Sequence, residues 1–122
     1  MSYSSKNPLS EKVKCAAGSF PTETVKFLSQ IPFRRKGILK RRFKANRAVN
    51  VEAGLVQCCG VRREVSCRSC QKGNGPFVGC ITISGQLDGS CANCHYHGLG
   101  FRCNFRKGTD MLRRFKYQTL TL

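Results

Sequence analysis

The sequence predicts a small, irregular α+β domain that is loop-rich, with short strands and flanking basic helices or arms. Three observations predict it. The chain has 122 residues, no tryptophan and an aromatic share of only 9%. A core that thin leaves a chain of this size in need of a staple. Six of its nine cysteines fall in an ordered spacing between residues 67 and 103, which supplies one. The net charge is +16, from 22 Lys and Arg against 6 Asp and Glu, so much of the chain outside that spacing stays solvated and is drawn to polyanions.

Taken in order, residues 1–33 read as a flexible leader with one short helix. Pro8 and Pro21 punctuate it, and Thr22 is a candidate N-cap for a helix over 22–30 with Val25 and Leu28 at i, i+3. Pro32 stops or redirects that helix. Residues 34–49 are a basic segment carrying Arg34, Arg35, Lys36, Lys40, Arg41, Arg42, Lys44 and Arg47, with no acidic residue between Glu23 and Glu52. Ile38, Leu39 and Phe43 give it a weak apolar stripe, so it reads as a basic amphipathic helix or as an arm that orders on binding.

Residues 50–106 form the cysteine-rich domain. Val49, Val51, Leu55 and Val56 read as a strand or turn–strand that covers the cysteines. Gly73, Gly75, Pro76, Gly79, Gly85 and Gly89 make the cysteine module loop-rich, and Ile81 and Ile83 mark a short strand over 81–84. Residues 107–122 read as a basic tail or short helix, with Thr109 or Asp110 as its cap. No internal repeat of useful length is visible, because the two CxxC motifs share only their cysteines.

The N-terminus has no apolar h-region of a secretory signal. No run approaches the roughly 18 apolar residues of a membrane span. The expected compartment is therefore the nucleus or the cytoplasm, with no membrane partner. Thiols stay reduced there, and a cysteine framework points to metal rather than disulfides. The spacing is C-x2-C-x9-C-x10-C-x2-C-x8-C, over Cys67, Cys70, Cys80, Cys91, Cys94 and Cys103. Two intervening residues bring both sulfurs of a CxxC to one side, and zinc takes four such ligands in a tetrahedron. Two arrangements compete. Cys67, Cys70, Cys91 and Cys94 hold one zinc with Cys80 and Cys103 spare, or all six hold two zincs. Cys58 and Cys59 lie outside the spacing, and Cys15 is a free thiol of the leader. His95 and His97 follow the second CxxC, where either is an alternative ligand or a plain surface histidine.

The order CxxC–C–CxxC–C resembles the fungal binuclear zinc cluster of DNA-binding transcription factors. That resemblance implies two zincs, with Cys67 and Cys91 bridging. The sequence departs from it between the second and third cysteines. That stretch, QKGNGPFVG, is longer and holds one basic residue, Lys72, where the clusters carry several that approach DNA. A closer resemblance is to a family of small cysteine-rich fungal domains of unknown function. It rests on Cys67, Cys70, Gly73, Gly75, Pro76, Phe77, Cys80, Cys91, Ala92, Asn93, Cys94, Cys103, Phe105 and Arg106 and covers roughly residues 50–106. It implies no established activity.

Catalysis has few candidates. No H-x-E precedes a P-C-x-x-C, as a zinc deaminase would require. The six acidic residues are scattered singly, and an all-cysteine site is closed. The expected function is zinc-stabilised binding of nucleic acid through phosphate contacts, with weak sequence preference. The expected contacts are the eight basic residues of 34–47 with Lys72, Arg102, Arg106, Lys107, Arg113 and Arg114. The alternative is a protein-interaction module with an acidic partner, whose basic run is a nuclear-import signal.

Overall fold

The computed structural model describes residues 8–106. Its elements in chain order are α1 (Leu9–Ala17), α2 (Glu23–Leu28), α3 (Ala48–Cys59), β1 (Val61–Arg62), α4 (Arg68–Gln71), β2 (Ile81–Thr82) and α5 (Ala92–His95). Three 3₁₀ turns follow β2. The result is a small loop-rich α+β fold with one two-stranded antiparallel sheet, Val61 opposite Thr82 and Arg62 opposite Ile81. No described helix is long and apolar enough to cross a membrane.

Helix α3 is the spine. Every residue from Asn50 to Cys59 is buried, so the helix is covered on all sides by α1, α2, α5 and β2. The strand expected over 48–57 is therefore a helix. Its valines favour strands, but Ala53, Gly54, Cys58 and Cys59 are small enough for neighbouring elements to approach closely, and that packing overrides propensity. Gly54 shows the constraint. A Cβ there would collide with Val13 of α1 and press on Phe43.

The first 33 residues are not a flexible leader from Leu9 onward. Leu9, Val13, Ala16 and Ala17 fall at i, i+4, i+7, i+8, and this stripe lies on the main core. Helix α2 has the expected cap, since Thr22 Oγ1 accepts from the Val25 N–H at 3.0 Å. The same hydroxyl donates to Glu52 at 2.8 Å, so the cap also docks α2 on α3.

The basic run is not a helix. Residues 31–40 alternate between half-buried and exposed, the period of an extended chain. Gly37 sits at φ +85°, where a helix cannot continue, and Leu9 packs against its Cα. The segment is a strap. The N–H groups of Arg34 and Arg35 bond the Cys58 carbonyl at the end of α3, and the Lys36 carbonyl accepts from Ser10. Further along, Lys40 N–H meets the Pro76 carbonyl and Val78 N–H meets the Ile38 carbonyl. The Arg35 guanidinium bonds the carbonyls of Gln57 and Gly60 at 2.7 and 2.9 Å, closing the C-terminus of α3.

An aromatic triad joins the strap to the cysteine loops. Phe43, Phe77 and Tyr96 sit with ring centroids 5.7–5.9 Å apart. The Tyr96 hydroxyl accepts from the Lys44 N–H at 2.8 Å. Phe77 is fully buried, which stabilises the fold by about 2–3 kcal/mol and explains the Pro-Phe of the glycine loop.

Candidate metal centre

All six cysteines of the spacing converge in a second, separate cluster, with Phe105 packed against it. Each CxxC opens one turn of helix. Cys67 and Cys70 sit at the N-cap and third position of α4, and Cys91 and Cys94 take the same places on α5. The one-turn helix points both thiols to the same side. The remaining two cysteines arrive on extended chain, and each accepts a backbone hydrogen bond from the first cysteine of its own half. Cys67 N–H donates to Cys80 Sγ at 3.3 Å, and Cys91 N–H donates to Cys103 Sγ at 3.4 Å. The module is thus a pair of matching halves, 67/70/80 and 91/94/103. Sequence reading finds no repeat here because the match lies in backbone geometry, and only the sulfurs are shared.

The sulfurs form two four-thiol groups that could each hold a metal ion. Cys67, Cys70, Cys80 and Cys91 make one, and Cys67, Cys91, Cys94 and Cys103 make the other, each with sulfurs within 4.8 Å of one another. Cys67 and Cys91 belong to both. The Sγ separations are 3.7 Å for Cys67–Cys91 and Cys67–Cys94, and 3.6 Å for Cys70–Cys91. Four thiolates about 2.3 Å from a tetrahedral ion lie about 3.8 Å apart, so the donor set fits such an ion.

Protonation divides along the same lines. Hydrogen bonds from Cys70 and Cys91 pull the Cys80 thiol down to about 4. Those from Cys91 and Cys94 pull Cys103 down to about 2. The donors move the other way. Cys91 is pushed up by its bonds to Cys103, Cys70 and Cys80, Cys94 by its bond to Cys103, and Cys70 by its bond to Cys80. Burial pushes Cys67 up. A cation held by these sulfurs would favour the ionised form of every thiol in the group.

Asn93, inside the second CxxC, holds the first half in place. Its Oδ1 accepts from Phe77 N–H at 2.8 Å, and its Nδ2 donates to the Phe77 carbonyl at 3.0 Å and to Cys70 Sγ at 3.5 Å. Gly75, at φ +89°, presses on the same side chain, where a Cβ would collide with it. The sequence shows Asn93 and Gly75 as motif positions, but their mutual contact is visible only in the fold.

Neither histidine joins the thiol groups. His95 Nε2 meets Glu52 Oε1 at 2.7 Å. His97 is exposed, stacks on Tyr96 at 4.2 Å and donates its N–H to Asn50. Cys58 and Cys59 lie in the main core, where burial pushes the Cys58 thiol up to about 12. Cys15 is exposed on α1.

The expected nucleic-acid contacts scatter. Arg34, Lys36, Lys40, Arg42 and Lys44 are exposed on the strap. Arg35 is committed to the end of α3, Arg41 to the Gly75 carbonyl and Arg47 to the His97 carbonyl. Lys72 and Arg102 are exposed, and Arg106 faces Asp88 at 3.6 Å. Lys107, Arg113 and Arg114, with the tail helix expected around Thr109 or Asp110, lie outside the described residues.

One protein family matches the chain. It is described as a protein of unknown function (DUF3716), and the match covers residues 53–106. That span takes in all six clustered cysteines and the loop that Asn93 holds. The expected resemblance to a family of unknown function therefore holds for this region. No protein of curated function and no solved structure matches the chain.

Proposed function

We propose that the six cysteines hold two zinc ions with Cys67 and Cys91 shared, and that the stapled chain binds nucleic acid in the nucleus. The observation that carries the metal reading is the pair of four-thiol groups with two members in common. The groups divide the CxxC pairs, with Cys70 in one and Cys94 in the other. That division favours two ions over a single ion between the CxxC motifs. An all-thiolate tetrahedron is the donor set of structural zinc. Six thiolates around two dications leave two negative charges, which the N–H···S bonds from Cys67 and Cys91 partly offset. The role of the metal is to hold α4, α5 and their loops against α3.

A net charge of +16 supports a polyanionic partner. Phosphate contacts position a protein without reading sequence, so all duplexes should bind alike. Native mass spectrometry of protein purified under reducing conditions should find two zincs, falling to one in Cys80→Ser/Cys103→Ser, which keeps the two CxxC pairs. Fluorescence anisotropy on labelled duplexes should show affinity that falls steeply with salt. A metal-free protein would overturn the first half of this reading. Binding to an acidic protein partner but to no nucleic acid at low salt would overturn the second.

A further inference from the structure

We infer that the exposed edge of the strap, carrying Arg34, Lys36, Lys40 and Arg42, is the phosphate-contacting ridge of this protein. The inference rests on the nucleic-acid reading and assigns it a surface. The sequence offers eight equivalent cations between 34 and 47, and the fold divides them. Arg35, Arg41 and Arg47 spend their guanidinium groups on backbone carbonyls of α3, the glycine loop and the turn at His97. Arg34, Lys36, Lys40, Arg42 and Lys44 are exposed, and their side chains make no hydrogen bond or ion pair with another described residue. Lys44 is set apart from the other four because it follows the buried Phe43 and its N–H is held by Tyr96. Among the described residues, the ion-paired carboxylates are Glu52, held by His95, and Asp88, held by Arg106. No described carboxylate forms an ion pair with the ridge.

Geometry makes it a row rather than a cloud. Over residues 31–40 exposed positions alternate with half-buried ones, so Arg34, Lys36 and Lys40 share the outer edge. Fully extended chain would carry Arg34 to Lys40 over at most about 20 Å, and the turn at Gly37 shortens that span. Backbone bonds to Ser10, Cys58, Pro76 and Val78 fix that chain along its length. A fixed line of cations suits a linear polyanion, and duplex DNA carries a charge about every 1.7 Å along its axis. A lipid surface is a plane and would be met by charge spread over a face, with apolar groups to insert. Here the apolar side chains exposed at the middle of the ridge are Ile38 and Val78, and neither is aromatic. The far end of the strap is bonded to Pro76 and Val78, between Cys70 and Cys80, so the ridge is held by the same loop that the first half of the thiol cluster organises.

The test compares two quadruple variants of the full chain that remove equal charge. Arg34→Gln/Lys36→Gln/Lys40→Gln/Arg42→Gln strips the ridge. Lys12→Gln/Lys26→Gln/Arg63→Gln/Arg68→Gln strips four cations elsewhere, none of them among the expected contacts. Both should keep the wild-type melting temperature, because none of the eight side chains is buried. Anisotropy on a labelled duplex, titrated with salt, should show the slope of log affinity against log salt reduced by about 3–4 in the ridge variant, at about 0.9 per contact. The control should stay within one contact of wild type. Equal losses in the two variants would overturn the ridge while leaving nucleic-acid binding intact. No binding by the wild type would overturn both. Sedimentation with vesicles containing anionic phospholipid is the second arm. Ridge-dependent pelleting with no ridge effect on duplex binding would assign the ridge to membrane and overturn the inference.

Discussion

The two halves of the thiol cluster repeat one geometry in different surroundings. The second half, on α5, is built into the core. Ala92, Asn93 and Cys94 are buried, the helix contacts α3, and His95 and Tyr96 reach Glu52 and Lys44. The first half, on α4, has no buried residue in its helix, and Cys70 is only half-buried. It depends on Asn93, contributed by the second half, and on a glycine loop tied to the strap. The comparison separates two ways of fixing a ligand, through the core and through a neighbour's side chain. It predicts that damage travels from the second half to the first more readily than the reverse.

The largest effect is expected at the shared pair, which joins the two halves. Cys91→Ala removes a sulfur common to both groups and should abolish metal binding and unfold the module. Structural zinc contributes on the order of 10 kcal/mol or more, coupled to folding. Cys80→Ala touches one group and should leave one zinc and a measurable melting transition. Metal content and thermal melts of the two variants read the difference. Equal losses would mean the halves do not share ligands.

Asn93→Ala should act next in size. It strands the buried Phe77 N–H and carbonyl, at a cost of about 2–4 kcal/mol. Chemical denaturation measures the total, and amide exchange locates it. Residues 73–79 should lose protection while α3 keeps it. Uniform loss would show that the first half has no independent dependence on Asn93.

The smallest effect concerns Glu52, which joins the second half to α2. Burial pushes its carboxyl up, but hydrogen bonds from His95 and Thr22 outweigh that and hold it below the ordinary carboxylate value. A depressed carboxyl contributes stability above the unfolded value near 4, and the contribution is lost as pH falls through the folded one. Glu52→Gln should therefore lower the denaturation midpoint at pH 6–7, and the gap to wild type should close as pH falls below about 4. Proton release of metal acts on both proteins, so the gap isolates the carboxylate. A gap that does not change with pH would mean the residue acts through packing alone.

The thiol cluster was legible in the sequence because ligand spacing is local chemistry. Two intervening residues suffice to aim a CxxC, and Thr22 was legible as a cap for the same reason. Helix α3 was not, since its valines mimic a strand and its helical packing depends on α1 reaching Gly54 from 41 residues away. The stripe of α1 is present in the sequence, at Leu9, Val13, Ala16 and Ala17, but it is short and sits among lysines and serines. The strap was misread because Ile38, Leu39 and Phe43 imitate a helical stripe. Gly37 and the carbonyls that wait at Cys58 and Pro76 decide the matter.

The shared sulfurs also bear on how the chain finds its fold. Tyr96 reaches Lys44 across 52 residues, and His97 reaches Asn50 across 47. Contacts so distant along the chain slow folding, because loop closure comes before any reward. An ion shared by Cys67 and Cys91, 24 residues apart, would shorten that search by tying the second CxxC to the first across a loop half as long. On this topology an ion at the shared pair would bear on the route of assembly as well as on its end point, since the bare chain has longer loops to close.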